Sequence, residues 1–221
     1  MIACIGDIHG SYHGINKLVE LGVGDDVTFI QVGDFGYYKH LIKDYPETPF
    51  KVYFIDGNHE DHKYLFSQAN GDVTEVKKNL FYVRRGSVLN IDGYNIGFLG
   101  GGCSVDKYIR LRNGYDWSEF EVIGDEAADK LIEDVSDLGG IDFLITHAPP
   151  TDVKNEFMPP LKKWQWGLPT DWTDVSEAQV QRVWEHLGRP EIYSGHLHRP
   201  FTSARYNARV LDINEIITVR G

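Results

Sequence analysis

Short apolar runs punctuate the whole chain: IACI at 2–5, VTFIQV at 27–32, KVYFI at 51–55, DFLIT at 142–146 and EIYS at 191–194. Runs of β-branched and aromatic residues this short, with little polar alternation, read as strands buried on both faces. Between them lie segments of near-helical period. SYHGINKLVELG (11–22) places apolar residues at 12, 15, 18, 19 and 21, opens with Ser and stops at Gly22. EAADKLIEDVSDL (126–138) and SEAQVQRVWEHLG (176–188) read the same way, the second with Ser176 as N-cap and Gly188 as stop. NLFYV (79–83), SVLNI (87–91) and YNIGFLG (94–100) read as a meander whose last two strands are joined by an Asp92-Gly93 hairpin turn. The tail at 201–219 adds two or three strands. Strands alternating with helices, followed by hairpins in both halves, predict an α/β fold of two mixed sheets packed face to face with helices outside.

Five fragments follow the apolar runs: GDIHG (6–10), GDFG (33–36), GNHED (57–61), THAPP (146–150) and GHLH (195–198). They therefore sit at strand C-terminal ends, where open α/β sheets place ligand sites. Their carboxylates, amide and imidazoles are donors of the kind that hold a pair of divalent metals. Of nine histidines, His9, His59, His147, His196 and His198 fall inside these exits, while His13, His40, His62 and His186 read as surface or packing residues. The neighbouring glycines are expected to supply positive φ or close backbone approach.

The ordered set DxH, GD, GNHE, H and GHxH resembles the calcineurin-like metallophosphoesterase superfamily from Asp7 to His198. The resemblance implies an αββα sandwich and a dinuclear centre. Asp7, His9, Asp34 and His198 would hold one metal, Asp34, Asn58, His147 and His196 the other, with Asp34 bridging. It further implies a phosphoester hydrolase in which a shared hydroxide attacks phosphorus. His59 would be the general acid for the leaving oxygen, or alternatively a further imidazole ligand. Neutral Asn58 limits the negative charge of the cluster and keeps the ions electrophilic. The ions are read as Mn²⁺ in vitro, with Fe, Zn, Ni or Co also suited to N/O donors. One departure matters. The protein phosphatases of the superfamily continue their GD motif with an Asp and an Arg, whereas GDFGYYKH has Tyr37 three positions after Asp34. His59 must then be oriented by something else, Glu60, Asp61 or a backbone carbonyl, and diesters become the favoured substrates over monoesters. The pattern is more similar to small bacterial and phage members.

Two irregular stretches are expected to be lid or binding loops, at 103–121 and 150–175. The first carries Asp106, Arg110 and Arg112 with Tyr108, Tyr115 and Trp117. A guanidinium fork matches phosphate, so Arg110 or Arg112 is the candidate substrate clamp, against a reading as a surface loop. The second holds Trp164, Trp166 and Trp172 beside Lys162 and Lys163, suited either to stacking a base or to a homodimer contact.

Composition changes little. The 221 residues, 42% hydrophobic, fit one domain spanning 1–221. No apolar stretch reaches membrane-spanning length, and the opening strand leaves no room for a cleavable signal at that end. Two cysteines, Cys4 and Cys103, suggest buried thiols in a reducing, cytoplasmic setting. A net charge of −11 disfavours nucleic acid as a partner. The expected partner is a small phosphoester, a nucleotide among the candidates. The expected activity is phosphodiester hydrolysis, with phosphomonoesterase, nuclease and non-catalytic scaffold as successive alternatives.

Overall fold

One strand feeding two cores explains the unbroken apolar runs. In β1 (Ile2–Ile5), Ile2 and Cys4 enter a cluster with Ile30, Val32, Phe143 and Ile145, whereas Ala3 and Ile5 enter a separate one with Ile15, Phe29 and Leu65. Side chains alternate across a strand, so a sheet covered on both faces needs apolar residues at every position. The computed structural model describes residues 1–114 and 117–221. Tyr115, named above in the first irregular stretch, lies outside the described residues.

Two six-stranded sheets result. The first runs β12 (Ile216–Arg220), β1, β2 (Thr28–Gln31), β3 (Lys51–Phe54), β5 (Leu80–Val83) and β4 (Val73–Lys77). The second runs β10 (Phe201–Ser203), β11 (Ala208–Val210), β9 (Glu191–Ser194), β8 (Phe143–Thr146), β7 (Tyr94–Leu99) and β6 (Ser87–Ile91). In each sheet the inner strands are parallel and both edge strands pair antiparallel. The sheets face each other across Ile30, Ile55, Phe98, Phe143 and Ile145. Fully buried Phe98 and Phe143 each contribute about 2 kcal/mol of transfer free energy to that interface.

Helices close both outer faces. Ile15 of α1 (His13–Glu20) and Leu65 of α2 (His62–Gln68) pack on the first sheet. The second is covered by α4 (Asp125–Leu138), α5 (Thr151–Phe157) and α6 (Val175–His186), through Leu131, Val153 and the fully buried Trp184. The short α3 (Lys107–Arg112) lies in the loop after β7. This is the expected α/β sandwich of two mixed sheets flanked by helices.

Three expectations are corrected. NLFYV does not continue into a meander with the next two strands: β5 pairs with β3 and β4, while β6 and β7 belong to the other sheet. The hairpin itself forms, with Asp92 at φ 52° and Gly93 at φ 87°, the positive pair a type I′ turn requires. Ser176 is not the N-cap of α6. Asp174 takes that place, its carboxylate accepting from Glu177 N at 2.9 Å, and the Ser176 hydroxyl accepts instead from Ile123 N at 3.2 Å. Both stretches expected to be irregular contain helix, α3 in one and α5 in the other. Each is shorter than two full turns, so the apolar period never repeats enough to be read.

Candidate metal centre

The five fragments meet at one edge of the sandwich because the strands before them, β1, β2, β3, β8 and β9, are parallel within their sheets and end there. Backbone hydrogen bonds stitch the exits together. His9 N and Ile8 N donate to Asp34 O at 2.7 and 3.0 Å, and Gly195 N donates to His147 O at 3.0 Å. Asp7, buried under the cluster, accepts His196 N at 3.1 Å. The loops are thus held by main chain before any side chain acts.

Two groups of donors share Asp34. Asp7, His9, Asp34 and His198 place one ligand atom each within 4.8 Å of one another. Within this group His198 Nε2 is 3.0 Å from Asp7 Oδ2, and His9 Nε2 is 3.8 Å from Asp34 Oδ2. On the other side, Asp34 Oδ1 is 3.3 Å from His147 Nε2, which lies 3.0 Å from Asn58 Oδ1 and 3.2 Å from His196 Nδ1. One carboxylate therefore turns each oxygen to a different set of imidazoles. All seven residues expected as ligands are brought together.

The donor set fits two cations. His9 Nε2 and His198 Nε2 are 2.9 Å apart, and His147 Nε2 and His196 Nδ1 face each other likewise. Nitrogens this close share a proton or a cation, and a bound cation would take the proton's place. His147 Nδ1 donates to Val32 O at 3.0 Å, which turns Nε2 to the centre, where a bound cation would displace its proton. Burial works against a charged His147, yet the adjacent Asp34 outweighs it and carries the ring up to about 9. Burial would raise Asp34, but His147, His59 and His9 hold it below the usual carboxylate range. His196 is pushed down to about 3 by burial and by His147, so its ring is neutral. A methyl group built on Gly102 would sit 3.2 Å from Asn58 Oδ1 and 3.3 Å from His196 Cε1, and glycine there keeps that space open.

The backbone is bent to achieve this. His9, Asp34, His196 and His198 all adopt left-handed φ, at 51°, 53°, 71° and 47°. Each such residue costs on the order of 1 kcal/mol, a strain typical of functional sites. The neighbouring glycines divide between the two roles expected of them, and Gly10, Gly33 and Gly36 take positive φ, at 72°, 100° and 77°. Gly57 and Gly195 serve through close approach: a Cβ on Gly57 would lie 2.1 Å from Asp34 Oδ1, and one on Gly195 2.0 Å from Asp7 Oδ1.

His59 borders both groups. Its backbone N donates to Asp34 Oδ1 at 2.8 Å, and its ring packs edge-on against His9. Neither Glu60 nor Asp61 orients it. Glu60 accepts from Phe35 N and Tyr37 N, and Asp61 caps α2 by accepting from Tyr64 N. The partner of His59 Nδ1 is Arg110 Nη1, at 3.0 Å. Arg112 points elsewhere, exposed and beside Gly167. Arg110 also lines an open cleft of about 690 Å³ with Tyr38, His40, Lys63, Trp117 and Phe120. Trp164 and Trp166 are exposed on a 3-10 turn at Lys163–Trp166. His62 is a packing residue, its Nε2 3.0 Å from Gly57 O. Cys4 and Cys103 are free and buried.

Four polar residues behind the site, Asp56, Arg85, Ser104 and Glu121, carry no signal in the sequence. Ser104 meets Asn58 and Glu121, and Arg85 pairs with Asp56 while donating to the main chain at 120–122. Nothing local marks them, because their partners lie tens of residues away.

The chain is similar to lariat debranching enzymes. It is 28% identical over 203 residues to that of Saccharomyces cerevisiae, covering 81% of this chain and 46% of the relative. To that of Schizosaccharomyces pombe it is 27% identical over 140 residues, covering 57% and 29%. The chain thus spans less than half the length of the curated relatives it matches. Its fold is similar to the crystal structure of a putative 5′-nucleotidase from Staphylococcus aureus, with a TM-score of 0.50 at 15% identity, covering 96% of this chain and 48% of that one. Among the described residues no helix is long and apolar enough to cross a membrane. Residues 1–200 match the calcineurin-like phosphoesterase family, and the chain belongs to it.

Proposed function

We propose that this chain hydrolyses phosphodiesters with two divalent metal ions, one held by Asp7, His9, Asp34 and His198 and the other by Asp34, Asn58, His147 and His196. Bound at such a site, the ions supply Lewis acidity and activate water at neutral pH, with Mn²⁺ the ion to try first. The observation that carries the reading is Asp34, whose two oxygens face two separate imidazole sets.

His59 is the residue assigned to the leaving oxygen. A guanidinium donates and never accepts, so Arg110 at Nδ1 leaves the hydrogen of the neutral ring on Nε2. In this state His59 offers the leaving oxygen a hydrogen bond. Full proton transfer from an imidazolium requires Arg110 to release Nδ1, which then carries its own hydrogen. Arg110 is therefore first an orienting partner of His59, and a grip on phosphate is its alternative role. Arg112, exposed, is left as a contact for a larger substrate.

A diester carries a second organic group, and the 690 Å³ cleft beside Arg110 offers it room against Tyr38, Trp117 and Phe120. The absence of the phosphatase Asp and Arg after Asp34 points the same way. The name of the yeast relatives favours a second reading, in which the scissile ester belongs to a lariat. The deciding assay strips the protein of metal, restores Mn²⁺, and compares bis-p-nitrophenyl phosphate with p-nitrophenyl phosphate, using Asp34→Ala to subtract contamination. Faster diester turnover is expected. Monoester preference overturns the diester assignment, and silence on both favours a scaffold or a selective lid.

A further inference from the structure

We infer that Ser104 and Glu121 are positioning residues that fix the amide of Asn58 with its oxygen toward the metal centre. The inference rests on the reading of Asn58 as a ligand.

An asparagine amide is nearly symmetric in shape but not in chemistry. Its oxygen can bind a cation, and its NH₂ group repels one. A rotation of 180° exchanges the two at little steric cost, so a ligand asparagine needs something to break the tie. Here the tie is broken by a chain of hydrogen bonds with a fixed direction. Glu121 Oε1 accepts Ser104 N at 2.7 Å, and Oε2 accepts the Ser104 hydroxyl at 2.7 Å. The hydroxyl has one hydrogen, and it is spent on the carboxylate. Toward Asn58 the Ser104 oxygen can only accept, so Nδ2 must face it, at 3.1 Å. Oδ1 is then turned to His147 Nε2, at 3.0 Å.

The base of the chain is buried and hydrogen-bonded to its surroundings. Ser104 and Glu121 are buried. The Glu121 carbonyl accepts from Gly102 N at 2.9 Å and from Arg85 Nη2 at 3.1 Å. Arg85 also donates to Phe120 O and Val122 O at 2.8 and 2.7 Å, and it is paired with the buried Asp56. A surface turn would need none of this. The anchoring makes sense if the carboxylate direction must be held.

Direction makes the inference testable. Glu121→Gln keeps the shape of the side chain, but its NH₂ group donates to the Ser104 oxygen. The serine hydrogen must then go elsewhere, and Asn58 is satisfied by turning its oxygen to Ser104 and its NH₂ group to the metals. Ser104→Ala removes the tie-breaker without imposing the wrong answer. The full chain, stripped of metal, is titrated with Mn²⁺ by calorimetry and by counting free Mn²⁺ in electron paramagnetic resonance, with the melting temperature of each metal-free protein as control. The expected result is weakening of one of two Mn²⁺ sites, about tenfold for Ser104→Ala and up to about a hundredfold for Glu121→Gln. The other site and the metal-free melting temperature of Glu121→Gln should be retained. Asn58→Ala should weaken the same site. If Asn58→Ala weakens it while both other variants bind like wild type, the positioning role is overturned and Asn58 stays a ligand. Unchanged binding in Asn58→Ala overturns the ligand reading and this inference with it. Parallel loss of both sites and of metal-free stability would reduce Ser104 and Glu121 to structural residues.

Discussion

Arg110 Nη1 lies 3.0 Å from His59 Nδ1, across 51 residues of sequence, and so occupies the ring nitrogen opposite the one proposed to face the leaving oxygen. Burial lowers the His59 pKa and the Arg110 charge adds to the effect, although Asp34 opposes both. Arg110→Ala frees the ring to rotate. With a poor leaving group, kcat at neutral pH should fall about tenfold, part of the hundredfold or more that a positioned proton donor contributes. KM should stay within about twofold, and an activated leaving group should be nearly unaffected. A raised KM with kcat unchanged would assign Arg110 to gripping the substrate instead.

Removing metal should cost both activity and stability. The centre gathers two carboxylates and four imidazoles around strained backbone, an arrangement the unfolded chain does not offer, so cations that bind it stabilise the fold. Chelation is expected to abolish turnover and lower the melting temperature. At a hundredfold excess over its Kd, one Mn²⁺ restores about 2.7 kcal/mol by mass action. Asp34→Ala and His147→Ala should abolish metal-dependent turnover. Asp34→Ala, lacking the shared carboxylate, should also lose most of the Mn²⁺-induced shift in melting temperature. Differential scanning calorimetry with and without Mn²⁺ checks this, and a full shift in Asp34→Ala would remove Asp34 from the bridging role.

The five strand exits were legible because each couples an apolar run to a glycine-flanked donor, and both halves of that signal are local. Asp7, His9, Asp34, Asn58, His147, His196 and His198 all meet at one edge for this reason. The partner of His59 was not legible. The chemistry of Arg110 and Arg112 alone suggests a phosphate clamp, because no local feature says which distant ring a guanidinium will reach. Sheet membership failed in a similar way: NLFYV, SVLNI and YNIGFLG are consecutive in sequence, and only long-range pairing assigns the first to another sheet. Ser176 was an attractive N-cap, but Asp174 two residues earlier begins the helix and the serine is used by Ile123.

Glu177 should give the protein a pH-dependent stability away from the metal centre. Burial and the neighbouring Asp174 push its carboxyl up to about 7, against the opposing charge of Lys154. The folded state then holds a proton that the unfolded chain releases near pH 4.5. Stability contributed by this group is present below about pH 4.5 and is lost as pH rises toward 7, with no further change above. Glu177→Gln cannot release the proton. The difference in melting temperature between the metal-free variant and wild type should grow in favour of the variant by several degrees between pH 4.5 and 7. A difference that stays flat across this window would show that Glu177 titrates normally.

Gly57 separates close approach from backbone freedom. A methyl at this position would fall 2.1 Å from Asp34 Oδ1 and 2.4 Å from Asp34 N, and the second atom is main chain that cannot swing aside. Gly57→Ala must displace the loop that presents the shared carboxylate. Overpacking of this kind costs about 1 to 3 kcal/mol. The larger effect should be on the centre, with Mn²⁺ affinity and turnover reduced at least about a hundredfold, because ligands displaced by about an ångström lose their geometry. Gly71 is the control. It has φ 79° with nothing within 4 Å of an added Cβ, so Gly71→Ala should cost stability alone, about 1 kcal/mol from the left-handed backbone, with normal turnover per folded molecule. Gly57→Ala with wild-type Mn²⁺ binding would mean that the exit after β3 can shift without moving Asp34, and the tight seating of these two residues would then have no part in holding the metals.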